Sequence, residues 1–169
     1  MLPQPDAFID FFRYVRWADE LQLSAAKALA DEAYFKDHGF SFGSIHGVML
    51  HMLSAQEVWR QRFAGEPTTW LADRADLRRD REALAREWAG VHDRFAAFLT
   101  AQSAQSLAGT ISFKNLKGQP FSAPLWRLLT HVCNHSTIHR GQLNSMLKLS
   151  GADSTPAVDY STWWYAQQG

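Results

Sequence analysis

The sequence has one cysteine, Cys133, so no intrachain disulfide can hold the chain together. That excludes the small disulfide-stapled scaffolds and fits a reducing cytoplasm. No stretch approaches the ~20 apolar residues that a helix needs to cross a bilayer. The opening residues, MLPQPDAFIDFF, lack the basic start and continuous apolar run of a secretory signal. The chain therefore reads as soluble and cytoplasmic, with no membrane partner. Neither sign of charge is in excess, because Lys+Arg 17 cancel Asp+Glu 17. Without a net positive charge or a sustained basic tract there is no electrostatic footprint for nucleic acid, and none is expected as a partner. Internal repeats and low-complexity tracts are also missing.

What is present is apolar and aromatic. With 46% hydrophobic residues and 11 Phe, 7 Trp and 4 Tyr, rings must fill much of the interior. A length of 169 residues suits one hydrophobic core, so residues 1–169 are read as a single domain.

Four long segments carry helical periodicity. The first follows Pro5, whose missing N–H costs nothing in a first turn, and puts Phe8, Phe11, Phe12, Val15, Ala18, Ala25 and Leu29 on one broad stripe ending near Asp31. The second runs from the N-cap Ser44 to Ala64, with Gly65 and Pro67 as its stop. Val48, His51, Ala55 and Val58 share one face of it. The third is expected to begin near Asp73 or Asp76, with a seam of Leu77, Leu84, Trp88, Val91, Phe95 and Phe98. The charge run from Arg78 to Glu87 is read as its solvated face. The fourth starts after Pro124 and ends before Gly151. Between the third and fourth, Thr110–Phe113 and Lys117–Phe121 predict a short β-hairpin around Asn115. Residues 152–169 read as extended, with Trp163, Trp164 and Tyr165 docking on the body or on a second subunit. Trp17, Trp59, Trp88 and Trp126 are read as core or interface rings. The fold class is all-α, a four-helix bundle.

The chemistry lies in HVCNHSTIHRGQ, residues 131–142. A four-residue separation puts His135 and His139 on one side of a helix, where both imidazoles can grip one ion. Ser136 stands where a zinc protease would carry its glutamate, so this is not the HExxH motif. A third ligand must come from another element. His51 is the best placed, on the inward stripe of the second helix; His46 and His92 are displaced from such a stripe, and His38 falls in a loop. The plain alternative is a set of core histidines satisfied by protein groups. Cys133 points about 200° away from His135 and reads as a small core residue. Arg140 is expected to pair with a carboxylate of another helix, Asp19 or Glu57. Asp19 itself reads first as a surface carboxylate, with a role near the site as the alternative.

YVRWADELQL (14–23), VMLHMLSAQEVW (48–59) and HVCNHSTIHRGQL (131–143) together resemble the DinB/YfiT-like family, and the likeness covers nearly the whole chain. The resemblance implies an up-down-down-up bundle of four helices with a short hairpin between the third and fourth. It also implies one divalent metal ion, zinc or nickel, held by His51, His135 and His139. His131 has no assured role as a ligand. Three imidazoles leave coordination positions open, as in catalytic sites. Some family members are thiol-dependent S-transferases and others resemble hydrolases or isomerases. The implied function is thus a metal-dependent enzyme acting on a small molecule with a low-molecular-weight thiol as cosubstrate. A non-catalytic, metal-stabilised stress-response or interaction module is the alternative. A homodimer is the implied assembly, and the sequence assigns no catalytic residue beyond the ligands.

Overall fold

A computed structural model of the chain describes residues 3–115 and 117–168. Its long helices are α1 (Pro5–Lys27), α3 (Ile45–Ala64), α4 (Arg81–Thr100) and α6 (Leu125–Leu149). Short helices α2 (Asp31–Phe35), α5 (Ala104–Ala108) and α7 (Tyr160–Ala166) occupy the connections and the tail. Both α1 and α3 pack against α4 and α6, which gives the cyclic order α1, α4, α3, α6. Helix directions follow from particular contacts. Asp19 meets His92 while Phe12 stacks on Phe95, so α1 and α4 are antiparallel. Trp88 bonds Gln56 and Phe98 lies beside Phe63, so α3 and α4 are parallel. His51 meets His139 while Trp59, two turns on, meets His131, so α3 and α6 are antiparallel. The result is the expected up-down-down-up arrangement.

Local chemistry sets the helix ends. Ser44 accepts from the Gly47 N–H as the N-cap of α3, and Gly65 ends that helix in the left-handed conformation, φ 69°. The third long helix begins later than the sequence suggests. Asp73 and Asp76 lie in two single 3-10 turns, Leu71–Asp73 and Ala75–Leu77, and Asp80 is the cap, accepting from Ala83. Because α3 and α4 are parallel, the chain must travel back along the bundle before α4 can start. Leu71 and Leu77, both buried, pin that return path to the core.

The first long helix likewise ends early, at Lys27, and Asp31 opens α2. Arg81 reaches from α4 to the Ala26 and Leu29 carbonyls and satisfies that frayed end. The hairpin is present as Thr110–Lys114 (β1) paired antiparallel with Pro120–Pro124 (β2), a second strand shifted from the expected one. Asn115 causes the shift, since its side chain accepts from the Lys117 and Gln119 N–H groups and widens the turn. The tail is not wholly extended, because Tyr160–Ala166 is helical. Trp163 is buried there, whereas Trp164 and Tyr165 are exposed.

The core is apolar at both ends of the bundle, with Trp88 fully buried and Trp17, Trp59 and Trp126 half-buried against it. Its middle is polar. Asp19 is fully buried rather than on the surface, and it accepts from Gln56 of α3 (2.8 Å), His92 of α4 (3.2 Å) and Arg140 of α6 (3.3 Å). Glu57 instead pairs with Arg60. Buried charges persist only when paired and hydrogen-bonded, which explains why one carboxylate draws a donor from each of the three neighbouring helices. No helix among the described residues is long and apolar enough to cross a membrane.

Removing one member of a buried ion pair strands the other charge, so Asp19→Ala should destabilise the protein by about 3–5 kcal/mol in urea unfolding. The double variant Asp19→Leu/Arg140→Met should recover much of that loss. A cost below about 1 kcal/mol for the single variant, typical of an exposed pair, would refute the reading.

Candidate metal centre

The chain makes a close approach just before α3. A Cβ on Gly47 would lie 1.9 Å from the Phe42 carbonyl oxygen, so only glycine lets the preceding loop fold onto the helix start. Phe42 sits there at φ 71°, a left-handed conformation that costs a bulky residue about 1–2 kcal/mol. Its ring stacks on the His51 imidazole with centroids 3.9 Å apart.

His51 from α3 faces His135 and His139, one turn apart on α6. One nitrogen from each lies within 4.8 Å of the others, so the group could hold a metal ion. His51 Nε2 and His135 Nε2 are 3.1 Å apart. Two nitrogens bound at ~2.1 Å to one tetrahedral zinc would stand ~3.4 Å apart, so the spacing suits a shared ion. The donor set is wholly imidazole, suited to zinc or nickel. His51 Nδ1 is buried without a partner among the described residues, so this ring is compensated only at the edge that meets the other two. His139 is oriented from outside the group, with Nδ1 3.1 Å from the Gln142 Oε1. An amide oxygen only accepts, so Nδ1 carries the proton and Nε2 keeps its lone pair free. Gln142 is itself anchored through its Nε2 to the Ser41 carbonyl.

Electrostatics hold two of the rings neutral. Burial, followed by the neighbouring His139, pushes His51 down to about 4. Burial and then the charges of His139, His51 and His131 push His135 down to about 4 as well. Uncharged imidazoles at neutral pH are the form that binds metals.

The remaining sequence candidates separate clearly. His131 lies one turn from His135, with ring centroids 6.0 Å apart, and packs edge-on against Trp59 outside the three-histidine group. His46 is buried and tied to the Tyr34 hydroxyl and the Leu77 carbonyl. His92, expected at a polar edge, is buried against Asp19. His38 bonds Ser150. Arg140 turns away from the histidines toward Asp19, Tyr14 and Thr137. Cys133 is buried, and burial pushes its thiol up, which makes it an inert core residue. Sequence reasoning missed Phe42 and Trp70, which flank His51. The glycines on either side of the FSF run were the available signal for an unusual loop.

An up-down-down-up bundle carrying three histidines from two antiparallel helices defines a class of helical proteins with a prospective metal centre. The chain belongs to the DinB family, whose model matches residues 3–168. It is similar to Protein DinB of Bacillus subtilis (strain 168), 27% identical over 166 residues that cover 95% of each chain. Among solved structures it is similar to a DinB-like protein from Bacillus cereus ATCC 10987, with a TM-score of 0.70 and 19% identity. That match covers 94% of this chain and 100% of the other.

The depressed histidines make the metal-free protein acid-sensitive. The folded-state values near 4 lie below the ordinary imidazole value of 6.5, so only the unfolded chain takes up these protons between those limits. Stability should be flat above about pH 6.5 and fall as pH drops from there toward 4. Urea midpoints measured with chelator present should show this slope, and the His51→Phe/His135→Phe variant should flatten it. A midpoint that stays constant from pH 7 to 4.5 would contradict neutral, buried rings.

Proposed function

We propose that this chain is a divalent-metal protein, and an enzyme of the thiol S-transferase or hydrolase type. His51, His135 and His139 would hold one zinc or nickel ion. The observation that carries the reading is the convergence of three imidazole nitrogens within 4.8 Å at a half-buried position. Three ligands from the protein leave open positions, the arrangement of catalytic rather than closed structural sites. A bound ion would supply Lewis acidity and lower the pKa of a coordinated water or thiol.

The chain's own side chains do the rest. Gln142 fixes the tautomer of His139, and Phe42 covers one face of His51 and limits water there. Phe42 and Trp70 offer flat apolar walls to the body of a small substrate. His131, on the Trp59 side, is placed to meet a substrate group. A low-molecular-weight thiol as cosubstrate rests on the family likeness.

The second reading is a metal-stabilised interaction or stress-response module without turnover. Exposed Trp164 and Tyr165 beside the docked Trp163 favour it, and a homodimer would use the same aromatic face. A cytoplasmic location is part of both readings.

Protein purified without added metal should contain about one tightly held ion per chain, lost in His135→Ala. Gln142→Ala should weaken metal affinity ~10–100-fold while the fold is kept. Thiol transfer from bacillithiol to an electrophilic acceptor should depend on that metal. A chain that holds no zinc or nickel after supplementation would overturn the metal reading. A loaded chain without transferase or hydrolase turnover would move the weight to the interaction module.

A further inference from the structure

On the opposite side of the polar layer from the histidine group, α1 and α4 enclose a cleft of about 260 Å³. That is close to the lower bound of ~300 Å³ for small-molecule sites. Ile9, Phe12, Phe95 and Leu99 form its apolar walls. At its floor lie Gln56 and His92, and at its mouth Arg13 and Arg16. No carboxylate among the described residues lines it.

The polar groups are in unequal states. Arg16 is committed to Glu20 and Asp93, at 2.8 and 2.6 Å. Arg13 is exposed and has no hydrogen-bond or ion-pair partner among the described residues. The amide of Gln56 donates to Asp19 and Ser136 and accepts from Trp88. His92 is used at one end only. Its Nε2 faces the Asp19 carboxylate, which can only accept, so a proton sits on Nε2, and in the neutral form of the ring Nδ1 presents a lone pair. Nδ1 has no partner among the described residues, yet it is not among the buried atoms sealed from water without one. The cleft that the ring lines is where that lone pair is open.

We propose that this cleft is a second ligand site, for a small hydroxyaryl carboxylate. Its carboxylate would pair with Arg13 at the mouth, its ring would lie along the apolar wall beside the stacked Phe12 and Phe95 rings, and its hydroxyl would donate to His92 Nδ1. An apolar slot with a free cation at one end and a free acceptor at the other selects for this class. A plain hydrocarbon would leave both polar groups unused, and a cation would meet Arg13.

The probe is 3-(4-hydroxyphenyl)propanoate, titrated into the full-length protein and followed by amide chemical shifts. Saturable binding should perturb Arg13, His92 and Ala96. Its neutral amide analogue should bind about tenfold more weakly, and the exposed-site variant Arg13→Gln should weaken the acid by the same factor and erase the difference between the two probes. Ala96→Trp, a substitution at an exposed lining position, should fill the cleft and abolish binding. His135→Ala should bind the probe like the wild type, which separates this site from the metal centre. No saturable shift up to about 10 mM would overturn the proposal. So would binding that survives Ala96→Trp, or a wild-type dimer that Ala96→Trp dissociates, which would assign the cleft to a second copy.

Discussion

The buried ion pair between Asp19 and Arg140 is the constraint on which the geometry rests. Arg140 follows His139 on α6, and successive residues of a helix diverge by about 100°. Once the guanidinium is committed to α1, the rotation of α6 about its axis is set, and His135 and His139 are turned toward α3. Gln56 then bonds the same carboxylate from α3, one turn and a residue beyond His51, and settles how far that helix slides. Each long helix contributes a group to the layer, so the alignment of the candidate ligands is a consequence of satisfying one buried charge. Hydrophobic packing alone specifies such alignment weakly, because apolar contacts are non-directional. The pair's value here is register rather than net stabilisation, since a well-packed apolar replacement often does as well for stability.

The histidine group adds opposing costs that one ligand would offset. Two imidazoles are pushed far from their ordinary titration, one nitrogen of His51 is sealed without a partner, and Phe42 holds a strained backbone in order to stack on it. Each cost is of the kind that gathers at functional sites rather than in ordinary cores. By contrast His46 shows what a structural histidine looks like in the same bundle: both nitrogens are satisfied, by Tyr34 and by the Leu77 carbonyl. Two histidines on one helix, five residues apart, thus have opposite accounts, and only the unsatisfied one faces others of its kind.

The contrast also explains what the sequence made legible. Periodicity located all four long helices, and Ser44 and Gly65 marked α3 at both ends, because capping is local chemistry. The i,i+4 spacing of His135 and His139 is equally local. Bringing His51 opposite them is tertiary, and the inward stripe suggested it only because no other histidine shared such a stripe. Asp19 was misread for the same reason: a carboxylate's burial depends on donors from three other helices, none of them near it in the chain. The late start of α4 was hidden too, since Asp73, Asp76 and Asp80 are all acceptable caps and only the parallel packing of α3 and α4 selects the last. The left-handed Phe42 has no propensity signal, because its conformation is imposed by the loop's approach to Gly47.

The polar layer spans from the neighbourhood of the histidine group to the α1–α4 cleft. Gln56 lines the cleft and lies 3.4 Å from the Ser136 hydroxyl, next to His135. Contiguity of this kind invites the idea of communication, but coupling requires an element with two arrangements that both sites bias. The layer offers none. Asp19 accepts three donors, Trp88 fixes the Gln56 amide, and Tyr14 hands its own proton to the Val158 carbonyl while accepting from Arg140. Apart from the Arg140 Nε–H, buried without a partner among the described residues, these donors each have an acceptor, and a swap among them leaves a buried donor facing a donor, at a cost of about 1–3 kcal/mol. A layer held in one arrangement would act as a partition, and the proposed metal centre and the proposed α1–α4 site would then bind independently, the occupancy of one leaving the affinity of the other unchanged.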